Sequence, residues 1–210
     1  IQSCRPSSYS TTIMKSIITL FFFSSLLLHY PVTAQNKDRI VQEIQDYQDD
    51  MDREFADPEQ SILKPEDLSQ FKGLNWYPIN LDYRVTARLE RTPNATPFLM
   101  PTTTERRPEY VQYGILYFTL NDQELQLPVY RSAQGYDDPQ YVDYLFCPFT
   151  DWASGDGAYG GGRYIDLRIP EGDRLILDFN KSYNPYCAYN ERYSCPIPPK
   201  ENDLPVRIEA

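Results

Sequence analysis

The 210-residue chain sets 20 Lys and Arg against 30 Asp and Glu, a formal charge of −10 at pH 7, and holds a single histidine, His29. Such an acidic chain has no electrostatic attraction to nucleic acid or to anionic lipid, which excludes both as partners. With one imidazole, placed in an apolar leader, Ser-His-Asp and Cys-His catalysis drop out, as do the imidazole-ligated zinc and copper enzymes.

The leader begins at Met14. Lys15 supplies a short positive start, Ile17 to Leu28 is apolar except for Thr19, Ser24 and Ser25, and Val32-Thr33-Ala34 places small residues at a cleavage spacing. This three-part layout is that of a secretory signal peptide, with residues 1–13 upstream of the start. The apolar run is shorter than the ~20 residues a membrane span requires, so no stable span is expected after cleavage. No Cys follows Ala34, and no lipid anchor is expected there. The reading is therefore residues 1–34 as upstream sequence plus signal and residues 35–210 as one exported domain, periplasmic or extracellular. Arg5 and Lys15 leave with the leader and no acid does, so 18 basic and 30 acidic residues remain, a net −12.

Asp38 to Phe55 is predicted helical, because Ile40, Ile44, Tyr47, Met51 and Phe55 recur at steps of three and four. Asp38 is the predicted cap, and Asp57-Pro58 the stop. A helical turn is expected over 65–71. Leu81, Tyr83, Val85, Ala87 and Leu89 then alternate with polar residues, the pattern of a half-buried strand. Asn94 to Thr104 reads as a loop or irregular edge. Tyr110–Leu120 and Glu124–Arg131 form a hairpin about Asn121-Asp122, with Pro128 implying an edge or bulge. Further strands are expected at 141–146 and 206–209, with a second hairpin from 163–169 and 174–179. The fold class is mainly β: an antiparallel β-barrel or sandwich with an N-terminal amphipathic helix packed against it.

Five glycines between Pro148 and Gly162, followed by Arg163, make a segment whose amides and guanidinium suit an anion. The loop lacks the Lys-Ser/Thr ending of a P-loop and the strand-loop-helix setting of a dinucleotide fingerprint. The other reading is a glycine-rich cover over one barrel end, with Arg163 paired to Asp151 or Asp166. Asp151, Ser154 and Asp156 alternate as calcium ligands do, but Ala153 interrupts them and no Glu closes the loop, so no metal is assigned.

Downstream, Leu177 to Tyr189 reads LDFNKSYNPYCAY, and Cys195 to Asn202 reads CPIPPKEN. Together with GGGRYIDL at 160–167 and Phe71-Lys72-Gly73-Leu74, these strings resemble the domain-of-unknown-function 1684 family, a bacterial and archaeal group without an established activity. The resemblance implies no reaction, cofactor or ligand. Cys147 departs from it, standing where relatives carry an aliphatic residue.

On the residues themselves, Asp178, Asn180, Tyr183 and Asn184 either converge with Asp151, Arg163 and Tyr164 on a polar pocket with aromatic walls or satisfy the backbone of a turn-rich platform. Cys187 and Cys195, with seven residues between them in an exported chain, are expected to form a disulfide, the other readings being two buried thiols and a thiol nucleophile, which no histidine is there to activate. The expected function is a non-catalytic module that binds a small polar or anionic ligand, or an envelope protein, on the loops at 148–164 and 178–202. The alternatives are a histidine-independent hydrolase pairing Asp178 with Asp151 or Asp166, and a structural envelope protein.

Overall fold

The computed structural model describes residues 32–210, so the predicted signal peptide lies outside the described residues but for the backbone of its last three. Helix α1 runs Val32–Ala56. It extends upstream of Asp38, which therefore lies inside the helix and does not cap it. Asp57 ends it by accepting the Glu59 N–H at 2.9 Å, and Pro58 cannot continue the turn. Of the predicted stripe the helix buries Ile44 and Phe55 and half-buries Ile40, Tyr47 and Met51, and it also buries Gln48, which the spacing does not include. Its partner is the segment after the last strand: Gln48 Nε2 donates to the Asn180 carbonyl at 3.2 Å, and Phe55 meets Tyr189 edge-on at 5.1 Å. A single turn, α2 (Pro65–Leu68), follows. No helix among the described residues is long and apolar enough to cross a membrane.

Seven antiparallel strands make one sheet: β1 (Arg84–Arg91), β2 (Phe98–Leu99), β3 (Glu109–Leu120), β4 (Gln123–Ser132), β5 (Tyr144–Phe149), β6 (Arg163–Arg168) and β7 (Arg174–Asp178). Their order is β6-β5-β4-β3-β1-β7, with β2 beside β3. The β3–β4 hairpin forms where predicted. Asn121 and Asp122 both take positive φ, 51° and 59°, which gives the turn the twist of its strands.

The predicted second hairpin does not form. Strand β6 pairs with β5 (Leu145 opposite Leu167) and β7 with β1 (Val85 opposite Leu177), so consecutive strands stand at opposite edges of the sheet. The residues joining β6 to β7 reach at most about 20 Å. The sheet must therefore curl into a half-barrel whose edges face each other across a seam. Backbone bonds between Tyr164 and Tyr183, at 2.9 and 3.0 Å, stitch one end of that seam.

The concave face holds the main core, including Leu116, Leu127, Leu145, Leu177 and Phe179. Leu204, Val206 and Ile208 plug its end, yet the strand predicted at 206–209 is absent. The segment makes isolated bonds instead, and the Asp151 carboxylate takes the Ile208 N–H at 2.8 Å where a ladder carbonyl would stand. On the convex face Tyr130, Phe146 and Tyr164 form a second core with Met100 and Cys195. Strand β5 is thus covered on both sides and begins later than the 141–146 expectation.

Pro128, opposite Ile115, occupies an interior strand, not an edge, and the bulge lies in β3 between Gln112 and Gly114, opposite Val129 and Tyr130. Strands β4 and β5 share one register pair, Tyr130 with Phe146. Prolines 128 and 148 offer no N–H there, and the fully buried Asn202 fills the gap. Its Nδ2 donates to the carbonyls of Pro128 (2.8 Å) and Pro148 (2.7 Å), and its Oδ1 accepts the Tyr130 hydroxyl at 2.7 Å.

Asn202→Ala strands these three groups without water and is expected to cost about 3 kcal/mol, read as a lowered urea midpoint. Asp122→Gly relieves a left-handed non-glycine residue and is expected to add about 1 kcal/mol by the same measurement.

Candidate functional site

Gly162, at φ +89°, delivers the chain into β6 where a Cβ would strike the Phe149 carbonyl. Arg163 follows, facing the core, and its side chain is 4% exposed. Nη1 donates to the Ala210 backbone oxygen at 2.8 Å and to Ser182 Oγ at 3.3 Å. Nη2 donates to the Ile208 carbonyl at 2.8 Å and to Asp151 Oδ1 at 3.3 Å. Burial pulls the guanidinium below its ordinary pKa, and the Asp151 carboxylate pushes it back. Asp151 is satisfied in turn by the Ile208 N–H, the Ala153 N–H and the Ser154 hydroxyl. One donor is left over, because Arg163 Nε is buried and has no partner.

Beside this cation lies a cavity of about 440 Å³, between the barrel end and the arm formed by α1 and residues 63–77. Phe55, Phe71 and Trp76 form the arm wall; Arg163, Tyr159 and Asn184 stand on the barrel side. Asp52 on α1 holds the arm in place, its Oδ1 accepting the Leu74 N–H at 3.0 Å and the Trp76 indole N–H at 3.1 Å. Phe55 stacks on Phe71 with ring centroids 6.1 Å apart. Asn180 clamps the arm's far end through the Asn80 N–H (2.7 Å) and carbonyl (3.0 Å). Tyr77 also lines the cavity, with its ring centroid 5.9 Å from the Arg163 guanidinium. Its hydroxyl is a second buried group without a partner. Gly157 makes room for it, since a Cβ there would stand 2.5 Å from that oxygen.

The residues singled out in the sequence divide among several places. Asp151 and Arg163 form the buried pair at the cavity floor. Tyr183 and Asn184 line the cavity, although the Tyr183 hydroxyl donates to Asp166 at 2.8 Å and Asn184 Nδ2 to the Tyr189 hydroxyl at 3.1 Å. Burial, reinforced by Asp166, raises the Tyr183 phenol well above its ordinary value. Tyr164 faces the convex core and donates to the Pro196 carbonyl. Asp178 faces the seam, paired with Arg84 at 2.5 Å, and lines a separate cleft of about 360 Å³. Asn180 is the arm clamp.

Sequence reasoning missed Trp76, Tyr77 and Tyr159. The Gly73-Leu74-Asn75-Trp76-Tyr77 string, two aromatics after a glycine, is the signal that was available. Cys187 and Cys195 are neighbours held as free thiols, with the Cys187 N–H directed at Cys195 Sγ at 3.2 Å. Burial, together with the Cys187 side chain, pushes Cys195 up to about 11. Cys147 is buried, and its burial raises its thiol strongly.

Comparison with known proteins agrees with this architecture. The solution NMR structure of an uncharacterized protein of Haloarcula marismortui is similar to the chain with a TM-score of 0.66 and 31% identity, covering 84% of this chain and 95% of that one. No curated protein matches significantly. The model of a protein family of unknown function, DUF1684, matches residues 69–210, which contain all of the sheet and the barrel side of the cavity. The chain belongs to the DUF1684 family.

Proposed function

We propose that the protein is an exported, non-catalytic binding module that holds a small ligand in the cavity between the arm and the barrel end. The observation that carries this is the pair of buried donors, Arg163 Nε and the Tyr77 hydroxyl, left without partners beside an aromatic-walled space. Leaving a buried donor unmet costs about 1–3 kcal/mol, and both atoms are closed to solvent, so a ligand acceptor that displaces the side chains over either one recovers free energy that the empty protein lacks. The volume and the mixture of aromatic walls with a few polar groups are those of small-ligand sites. Export is supported by the leader at 14–34, and cleavage after Ala34 leaves α1 to begin at Gln35.

The acids that a hydrolase would use are committed elsewhere. Asp151 is held by Arg163 and backbone amides, and Asp178 by Arg84 and the Asn180 N–H. Glu43, whose carboxyl is lowered by its hydrogen bond to Lys181, is likewise an ion-pair member in place of a proton donor. This arrangement favours binding over turnover.

Native against denaturing mass spectrometry of the protein exported from a bacterial host tests the reading. A non-covalent mass excess, lost on denaturation and reduced by Tyr77→Phe, is expected. The same variant, having lost an unmet hydroxyl, is expected to gain about 1 kcal/mol when empty. No excess, with Tyr77→Phe neutral for stability, would move the function to a protein partner or a structural role. After export the neighbouring thiols of Cys187 and Cys195 are expected to oxidise, so the denatured mass should lack two hydrogens and Cys147 alone of the three should react with a thiol reagent. A count of three reactive thiols would remove the disulfide.

A further inference from the structure

We infer that the cavity takes an organic cation, an amine or quaternary ammonium with a hydrogen-bond acceptor a few bonds from its charged head. The inference rests on the reading of the cavity as a ligand site and concerns the sign of the charge it accepts. Arg163 after a glycine-rich loop points to an anion. The structure spends that charge internally: Asp151 and the backbone oxygens of residues 208 and 210 surround the guanidinium. A second carboxylate at this buried position would have no countercharge of its own.

The remaining charge near the cavity is negative. Of the lining residues only Arg163 and Asp67 have charged side chains, and with Arg163 matched by Asp151 the Asp67 carboxylate is left over, with Asp52 behind Gly73, Leu74 and Trp76. On the wall nearest Asp52 stand Trp76, whose indole N–H Asp52 accepts, and Phe71, and aromatic rings attract a cation by their quadrupoles. The two features act on the same end of the space. The other end offers donors that lack acceptors, Arg163 Nε and the Tyr77 hydroxyl. A cationic head on the arm wall with an acceptor directed to the floor meets both halves.

Three isosteres of graded charge decide it: choline, 3,3-dimethylbutan-1-ol and 3,3-dimethylbutanoate, each titrated into the full exported protein. The readout is the indole N–H resonance of Trp76, with Trp152, 64% exposed and away from the cavity, as the internal control. Choline is expected to move Trp76 and leave Trp152 in place, with an affinity about tenfold or more above that of the neutral alcohol. Asp67→Asn is expected to weaken choline several-fold and leave the alcohol unchanged. Equal or tighter binding of the alcohol or the carboxylate overturns the cation assignment and keeps the cavity as a binding site. If none of the three moves Trp76, both the cation assignment and the binding reading fail.

Discussion

A guanidinium cannot be buried alone. Withdrawing Arg163 from water costs several kcal/mol, and the structure meets that cost by bringing three distant segments to one point. Asp151 comes from the loop after β5, the oxygens of residues 208 and 210 from the C-terminal segment, and Ser182 from the chain after β7. Each partner is separately anchored: Asp151 through the Ile208 and Ala153 amides, Ser182 beside the Tyr164–Tyr183 stitch. The shape of the barrel end, the path of residues 204–210 and the floor of the cavity therefore depend on one ion pair and its ring of acceptors.

The same logic explains why the C-terminal segment is irregular although its side chains alternate between buried and exposed. Its carbonyls are directed at a guanidinium and its Ile208 amide at a carboxylate, so the groups that would build a ladder serve the pair. Asn202 plays the neutral counterpart between β4 and β5, where two prolines interrupt the ladder and one side-chain amide restores it. In both places a polar side chain replaces backbone pairing.

What was legible in the sequence follows from this. The stripe at Ile40, Ile44 and Phe55, the alternation through Ala87 and Leu89, and the Asn121-Asp122 turn are local patterns, and the corresponding elements are there. Pairing of β6 and β7 is a long-range choice that local pattern does not encode. Five connecting residues look like a hairpin whether the strands pair or are held at opposite edges of a curled sheet. The candidate site was half legible. Arg163 and Asp151 stood out by type, but their mutual pairing was one of two readings, and the arm wall was invisible because Trp76 and Tyr77 lie nearly 90 residues upstream in a segment without periodicity.

Charge is where local reading and three-dimensional compensation diverge most. A glycine-rich loop followed by arginine is electropositive along the chain, and nothing in that string reveals that the cation is already matched. Once folded, the guanidinium is neutralised from behind by Asp151, while Asp52 and Asp67 arrive from a helix and a turn that the string does not contain. Asp67 stands on the cavity wall, and Asp52 holds the Trp76 indole beside it. A residue's own charge fixes the sign of a site only when the fold leaves that charge unpaired, and beside this cavity the groups left unpaired are a neutralised cation's last N–H and a phenol.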